Sequence, residues 1–373
     1  MTENATPAPM PSPGPARSGL RTFLVNVAVF VGLGLAVFFA IPVVDLAGKA
    51  LRHLSPPADR LALLPNYAGQ DWARMHFAEM QKLQTDFMSY YGWRRRPFQG
   101  QTITVEPGTQ TRRTTQDGTA VGPTVYFFGG STMWGTGSDD ARTIPSAYQR
   151  IAGGKVMNFG ESGWVAHQSL NQLMRLYSEG HRPDVVVFYD GVNDVSHKCR
   201  RETDFWADER QGQVRQALAY KPPEIGYYVQ PLLFLARQAA AVLTSTQGER
   251  FYDCDTNPQK AELIAQQLIN DWKIAAMLVQ ANGGRFYAYL QPVAYLSQTR
   301  LQHIRVGKTV GEQYRNLYPI IRRKMTQAGI GTDISTVLDK DEFFYVDFAH
   351  ISPNGNALVA ARIAQDLAGV AGH

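Results

Sequence analysis

Two short segments carry side chains that could together perform acyl transfer from a serine nucleophile. Ser131 follows two glycines at the end of an apolar run, where the chain can turn sharply and expose the hydroxyl. His350 stands three residues after Asp347, close enough for the carboxylate to hold the imidazole ring. Serine-based acyl transfer needs such a base and such an orienting group. The sequence therefore predicts Ser131 as nucleophile, His350 as general base and Asp347 as its orienting residue.

Two further segments could supply hydrogen-bond donors for the oxyanion that forms in such a reaction. Gly163 closes the segment 158–163, and Asn193 lies between two acidic residues, Asp190 and Asp194. The acidic pair invites a calcium interpretation, but its spacing does not fit an EF-hand loop. The chain has two cysteines and no Cys/His cluster typical of zinc sites. We therefore expect neither a metal ion nor another cofactor.

The elements that must position these residues are visible as an alternation of strand and helix patterns. Short apolar runs at 124–128, 155–159, 184–189 and 285–290 predict strands, separated by segments with helical spacing. Such alternation predicts an α/β fold, a three-layer α/β/α sandwich with a mainly parallel sheet. Ser131, Gly163 and Asn193 each follow a different strand, so we expect them at the same edge of the sheet.

The four segments, in this order, resemble the SGNH/GDSL hydrolase superfamily across residues 125–360. The residues that match its motifs are Ser131, Gly163, Gly191, Asn193, Asp194, Asp347 and His350. The superfamily's Gly-Asp-Ser is Gly-Gly-Ser here, with Gly130 in place of the aspartate. The resemblance implies a flavodoxin-like sheet and a metal-free esterase mechanism. It also implies an oxyanion hole made by the backbone amides of Ser131 and Gly163 and the side-chain amide of Asn193.

Composition and charge limit the remaining possibilities. The 373 residues are 44% hydrophobic and 18% charged, which is enough apolar material for a substantial core. The net charge of +5 is not gathered into a basic stripe, so we expect no nucleic-acid partner. The arginine cluster at 94–96 is interpreted as solvated surface charge. A helix is predicted around residues 71–90.

The N-terminal part of the chain has its own pattern. Residues 1–21 are rich in Pro, Ala and Ser and predict a disordered tail, whereas residues 22–44 contain no charge and are long enough to span a bilayer. We expect an uncleaved transmembrane anchor there, with a removed signal peptide as the alternative. Residues 45–122 are expected to pack on the hydrolase domain, residues 123–373, which carries an insertion at about 196–255.

The two cysteines bear on the cellular compartment. Cys199 and Cys254 form a candidate disulfide in a chain with an export segment, although two unrelated thiols remain possible. Basic residues flank both ends of the apolar run, so charge alone does not set its orientation. We expect a single-pass protein of the bacterial inner membrane whose catalytic domain lies in the periplasm or is otherwise extracytoplasmic.

The substrate is the least determined property. Trp134 and Trp164 follow predicted site residues closely, and we expect one of them to line the pocket and stack on a sugar ring, with core packing as the alternative for each. The favoured substrate is an acylated carbohydrate, with O-acetyl groups removed from a cell-surface or exported polysaccharide. The alternatives are an O-acetyltransferase with the same triad, a lipid esterase or thioesterase, and a catalytically silent carbohydrate-binding or assembly protein. The sequence leaves the oligomeric state open.

Overall fold

The computed structural model describes residues 17–54, 57–115, 121–219 and 252–369. The chain divides into two units, residues 1–56 with 222–245 and residues 57–221 with 246–373. In the first unit the described residues form one helix, α1 (Arg17–Leu54). The span predicted at 22–44 falls within α1, and no helix among the described residues is long and apolar enough to cross a membrane. Most of the predicted disordered tail lies outside the described residues.

The second unit begins with a segment of short elements, residues 57–115. They are helices α2 (Pro57–Ala62) and α3 (Trp72–Met80) and strands β1 (Thr85–Met88), β2 (Gly92–Arg95), β3 (Phe98–Gln99) and β4 (Thr104–Val105). The helix predicted around 71–90 is wrong in its second half, because β1 and β2 form an antiparallel hairpin. Phe87 and Trp93 are paired in its register, and aromatic residues favour extended strands.

A five-stranded parallel sheet forms the centre of the second unit, with the order β6-β5-β7-β8-β9. Its strands are β5 (Thr124–Gly129), β6 (Lys155–Asn158), β7 (Val185–Asp190), β8 (Arg285–Leu290) and β9 (Thr332–Asp333). Strand β7 is buried along its whole length, as expected for a strand covered on both faces. The sheet confirms the predicted α/β class with parallel strands.

Helices cover both faces of this sheet. The helices that follow β5 along the chain are α4 (Ser131–Trp134), α5 (Ile144–Ala152), α6 (Ala166–Ser178), α7 (Val192–Lys198), α8 (Gln211–Ala219), α9 (Pro258–Ala281), α10 (Lys308–Ala328) and α11 (Pro353–Gly369). Phe127 packs in the core under α5 and α11, whereas Phe128 packs in the core under α6, α9 and α10. Neighbouring residues of one strand thus serve two cores, because successive side chains point to opposite faces.

The segment 57–115 packs on the sheet unit and belongs to it. The Glu79 carboxylate accepts hydrogen bonds from the backbone N–H groups of Gln101, Thr102 and Ile103 at 2.6–3.1 Å. Ile103 then packs against Trp134 of α4. The segment is therefore fastened to the part of the chain that follows Ser131.

The insertion after α7 begins at a disulfide bond. Cys199 and Cys254 are joined with an S–S distance of 2.02 Å, and both are fully buried. Arg200 and Tyr252 form an antiparallel bridge beside the bond. Of the insertion predicted at about 196–255, residues 220–251 lie outside the described residues.

Candidate active site

The nucleophile candidate lies at the end of the second strand in the sheet order. Ser131 is the first residue of α4, directly after β5 and a Gly-Gly turn. Gly129 has a φ of +152°, and a Cβ atom there would lie 2.5 Å from the carbonyl oxygen of Tyr189 on the neighbouring strand. Only glycine fits this turn without strain. The turn brings the Ser131 hydroxyl to the carboxyl edge of the sheet.

His350 and Asp347 reach the same edge from the loop before α11. The Ser131 Oγ atom lies 2.6 Å from His350 Nε2, and His350 Nδ1 lies 2.6 Å from Asp347 Oδ2. The other oxygen, Asp347 Oδ1, accepts backbone N–H bonds from Ala349 and His350, each at 2.8 Å. A proton on Nδ1 is therefore bonded to Asp347, which leaves Nε2 free to accept the Ser131 proton. The arrangement is a contiguous Ser–His–Asp relay.

Charges within the relay support this assignment of protons. Burial lowers the pKa of His350, but the charge and hydrogen bond of Asp347 raise it more, so the net shift is upward. Burial raises the pKa of Asp347, but the charge of His350 and the hydrogen bonds from His350 and Ala349 lower it more. The carboxylate is therefore ionised at neutral pH and stabilises the imidazolium that forms when His350 takes a proton.

The predicted oxyanion donors lie on the neighbouring loops. Asn193 is on the first turn of α7, and its Nδ2 atom donates to the carbonyl oxygen of Trp164 at 2.8 Å. A Cβ atom at Gly130 would lie 2.4 Å from the same Nδ2, so the amide is in contact with the turn that carries Ser131. Gly163 has a φ of +75°, and the Glu209 side chain of the insertion packs against its Cα. The structure thus brings Ser131, Gly163 and Asn193 to the carboxyl edge of the sheet.

The buried carboxylate of Asp194 links the start of α7 to the start of α6. Asp194 Oδ1 accepts from Lys198 Nζ at 2.9 Å, and both side chains are almost completely buried. Asp194 Oδ2 accepts from the backbone N–H of Ala166, the first residue of α6. Because Asp194 follows Asn193 directly, this contact fixes the start of α7 against the loop that carries Gly163.

The expectation for Trp134 and Trp164 is wrong. Each tryptophan is 1% exposed, so neither offers a free ring face to a sugar. The guanidinium of Arg95 lies 3.7 Å from the ring centroid of Trp134, and that of Arg94 lies 5.2 Å from the ring centroid of Trp164. Both rings are covered because the segment 57–115 packs over them, which the spacing of the tryptophans along the chain does not reveal.

The interpretation of the arginine cluster as solvated surface charge is confirmed for Arg96, which is exposed, and is wrong for the other two residues. Arg94 is 1% exposed and Arg95 is 7% exposed. Both surround Glu161, a fully buried carboxylate of the loop that carries Gly163. The signal was present in the neighbouring aromatic residues, Tyr91 and Trp93, since arginine guanidinium groups pack readily on aromatic rings.

Metal ligands are not gathered in the described parts of the chain. Among these residues, no group of three or more His, Cys, Asp or Glu side chains is arranged to hold a metal ion.

Comparison with known proteins finds similarity at the level of structure. No family model matches the chain, and no curated protein matches it. A lipolytic protein of the G-D-S-L family from Veillonella parvula shares 10% identity with a TM-score of 0.40, covering 65% of this chain and 96% of its own. A carbohydrate acetylesterase family member from Sinorhizobium meliloti shares 16% identity with a TM-score of 0.35, covering 66% and 97%. The acetyl xylan esterase AlAXEase shares 16% identity with a TM-score of 0.37, covering 65% and 99%.

At such identities and TM-scores, nothing about the substrate of this chain follows from these similarities. In the chain itself, Ser131, Gly163, Asn193 and the Asp347–His350 pair come from separate segments and reach the carboxyl edge of a parallel sheet. This is the arrangement that the resemblance of the sequence to the SGNH/GDSL hydrolase superfamily implies.

Proposed function

We propose that the chain is a serine esterase that hydrolyses short acyl esters through Ser131, His350 and Asp347. The observation that carries this proposal is the pair of 2.6 Å contacts that join the three side chains in series. Three side chains from two distant segments meet here, and the Ser131 hydroxyl stands at one end of the series. Such a relay converts a weakly nucleophilic alcohol into a reactive one.

The geometry gives each residue a role in the reaction. Ser131 Oγ attacks the ester carbonyl carbon while its proton passes to His350 Nε2. The tetrahedral oxyanion is held by the backbone N–H groups of Ser131 and Gly163 and by the amide of Asn193. His350 then protonates the departing alcohol, which leaves an acyl group on Ser131. Water attacks this acyl-enzyme with His350 again acting as base, and the acid is released.

For the substrate we propose an O-acetylated polysaccharide of the cell surface or of an exported polymer. Support comes from the β1–β2 hairpin, where Phe87 and Tyr90 are 79% and 93% exposed. With Asn171 and Arg175 of α6 they line a cleft of about 840 Å³. Exposed aromatic rings suit the apolar face of a sugar, whereas the Asn171 amide and the Arg175 guanidinium donate to Tyr90, Tyr91 and Glu179 of the protein itself.

We also propose that the chain is anchored in the inner membrane with its catalytic unit in the periplasm. Support comes from the uncharged run at 22–44 and from the buried Cys199–Cys254 bond, since disulfides persist in oxidising compartments. Membrane fractionation and a periplasm-dependent reporter fused at the C-terminus test this. Recovery in the soluble fraction, or an inactive reporter, would contradict the proposal.

The esterase proposal is tested with the purified full-length chain and p-nitrophenyl acetate and butyrate. Ser131→Ala should abolish hydrolysis, whereas Thr326→Ala should not, because Thr326 lies on the exposed surface of α10, away from the proposed substrate cleft. Equal hydrolysis by Ser131→Ala and wild type would refute the role of Ser131. A parallel reaction with an oligosaccharide acceptor distinguishes hydrolysis from transfer, because a transferase would deliver the acyl group to the sugar.

A further inference from the structure

Arg95 lies outside the four motifs yet contacts the segments that carry two of them. It is the last residue of β2, in the segment 57–115. Its guanidinium stacks on the ring of Trp134 at 3.7 Å, and Trp134 is the last residue of the short helix that begins with Ser131. Through the tryptophan, Arg95 is therefore packed against the helix that carries the nucleophile.

The polar contacts of Arg95 reach the loop that carries Gly163. Its Nη1 donates to Glu161 Oε1 at 2.5 Å, and its backbone N–H donates to Glu161 Oε2 at 2.8 Å. Its Nη2 donates to Ser162 Oγ at 2.7 Å. One side chain thus holds the two residues that precede Gly163, while its flat face rests on Trp134. A planar guanidinium can make these contacts together, whereas a lysine ammonium cannot.

Arg94, the neighbour of Arg95 on β2, makes different contacts. Its guanidinium donates to the carbonyl oxygens of Phe159, Gly160 and Gln110.

We propose that Arg95 is a positioning residue of the acyl-transfer site, which holds the Gly163 loop against the Ser131 helix. This inference rests on the proposed esterase function.

The inference is tested by kinetics of the full-length chain on p-nitrophenyl acetate. Arg95→Lys keeps the charge but cannot hold Glu161 and Ser162 together, so kcat should fall by about 10–10²-fold with little change in KM. Ser162→Ala removes one of the same bonds and should lower kcat in the same direction. Wild-type kcat in both variants would overturn the positioning role.

Failure of this inference and failure of the esterase proposal give different results. Activity that depends on Ser131 but is unaffected in Arg95→Lys and Ser162→Ala would refute the inference alone. A wild-type chain without Ser131-dependent activity would refute the esterase proposal, on which the inference rests.

Discussion

A Cβ atom at Gly130 would lie 2.4 Å from Nδ2 of Asn193. That separation is shorter than any non-bonded contact between carbon and nitrogen atoms. The φ of Gly130 is −79°, which other residues adopt freely, so the backbone itself does not require glycine here. What requires it is the side chain of Asn193. The glycine that replaces the aspartate of the Gly-Asp-Ser motif is therefore coupled to the position of a proposed oxyanion donor.

Adding a side chain at Gly130 should impair catalysis and leave the fold intact. Gly130→Ala must displace the Asn193 amide, so we expect kcat to fall by about 10²-fold. Gly130→Asp, which restores the superfamily motif, should be at least as damaging. Steady-state kinetics and far-UV circular dichroism check both points. The control is Gly212→Ala in α8, where nothing lies within 4 Å of the added Cβ. A wild-type kcat in Gly130→Ala would mean that the Asn193 amide can move without any loss of catalysis.

Removing the Asn193 amide itself should also lower kcat. Asn193→Ala should lower kcat by about 10²–10³-fold with little effect on KM, as for other oxyanion donors. In the Asn193→Ala variant, the further change Gly130→Ala should lower kcat only a little more, because both changes act on the same donor. A double-mutant cycle measures this coupling. Fully additive effects would separate Gly130 from the oxyanion site.

In the pH profile of kcat/KM, the limb on the acidic side should report the protonation of His350. Its pKa is raised above the ordinary value of 6.5, and only the neutral imidazole accepts the Ser131 proton, so activity should rise with a midpoint above pH 6.5. Asp347→Asn removes the carboxylate that raises this pKa. The limb should therefore move to lower pH, while kcat falls by about 10⁴-fold because the tautomer is no longer fixed. A limb that stays in place in Asp347→Asn would contradict the assigned pair.

The disulfide should contribute to stability through the length of the loop it closes. Cys199 and Cys254 are 55 residues apart, and closing a loop of that length corresponds to about 4 kcal/mol of unfolding free energy. Thermal unfolding with and without reductant measures the effect. A Cys199→Ala/Cys254→Ala variant should be less stable than wild type and insensitive to reductant. Equal stability of the two proteins under oxidising conditions would contradict the prediction.

The packing of residues 57–115 on the sheet unit can be tested at Glu79. Glu79→Gln weakens the bonds to residues 101–103 and should reduce the free energy of unfolding by about 2–3 kcal/mol at pH 7. Burial raises the pKa of Glu79, but hydrogen bonds from the Thr102 hydroxyl and the backbone of 101–103 lower it more. The stabilisation should therefore be complete above pH 4.5 and disappear as the pH falls through the lowered pKa.

Chemical denaturation at several pH values measures this difference. Glu106→Gln is the control, because the partly exposed pair of Glu106 with Arg113 should contribute less than about 1 kcal/mol. If Glu79→Gln were no less stable than Glu106→Gln at pH 7, the carboxylate would not be the anchor of this segment.

The sequence by itself determined the features that depend on local pattern and on chain order. The apolar run that becomes β7 predicted a buried strand, because a strand covered on both faces has no polar side. The spacing of Asp347 and His350 predicted their contact, since three residues of a loop cannot carry them far apart. The helix predicted across 71–90 failed at the β1–β2 hairpin, where pairing with β2 decided the conformation of β1.

Only the tertiary structure decided which distant side chains meet. Arg95 and Trp134 belong to segments with no shared periodicity, and their stacking follows from how residues 57–115 lie over the sheet edge. The same packing buries Trp134 and Trp164, one of which the sequence predicts to stack on a sugar. The contact of Asn193 with Gly130 likewise depends on the alignment of β5 with β7. The physical reason is that such contacts are set by the packing of whole elements, which residue spacing along a chain does not encode.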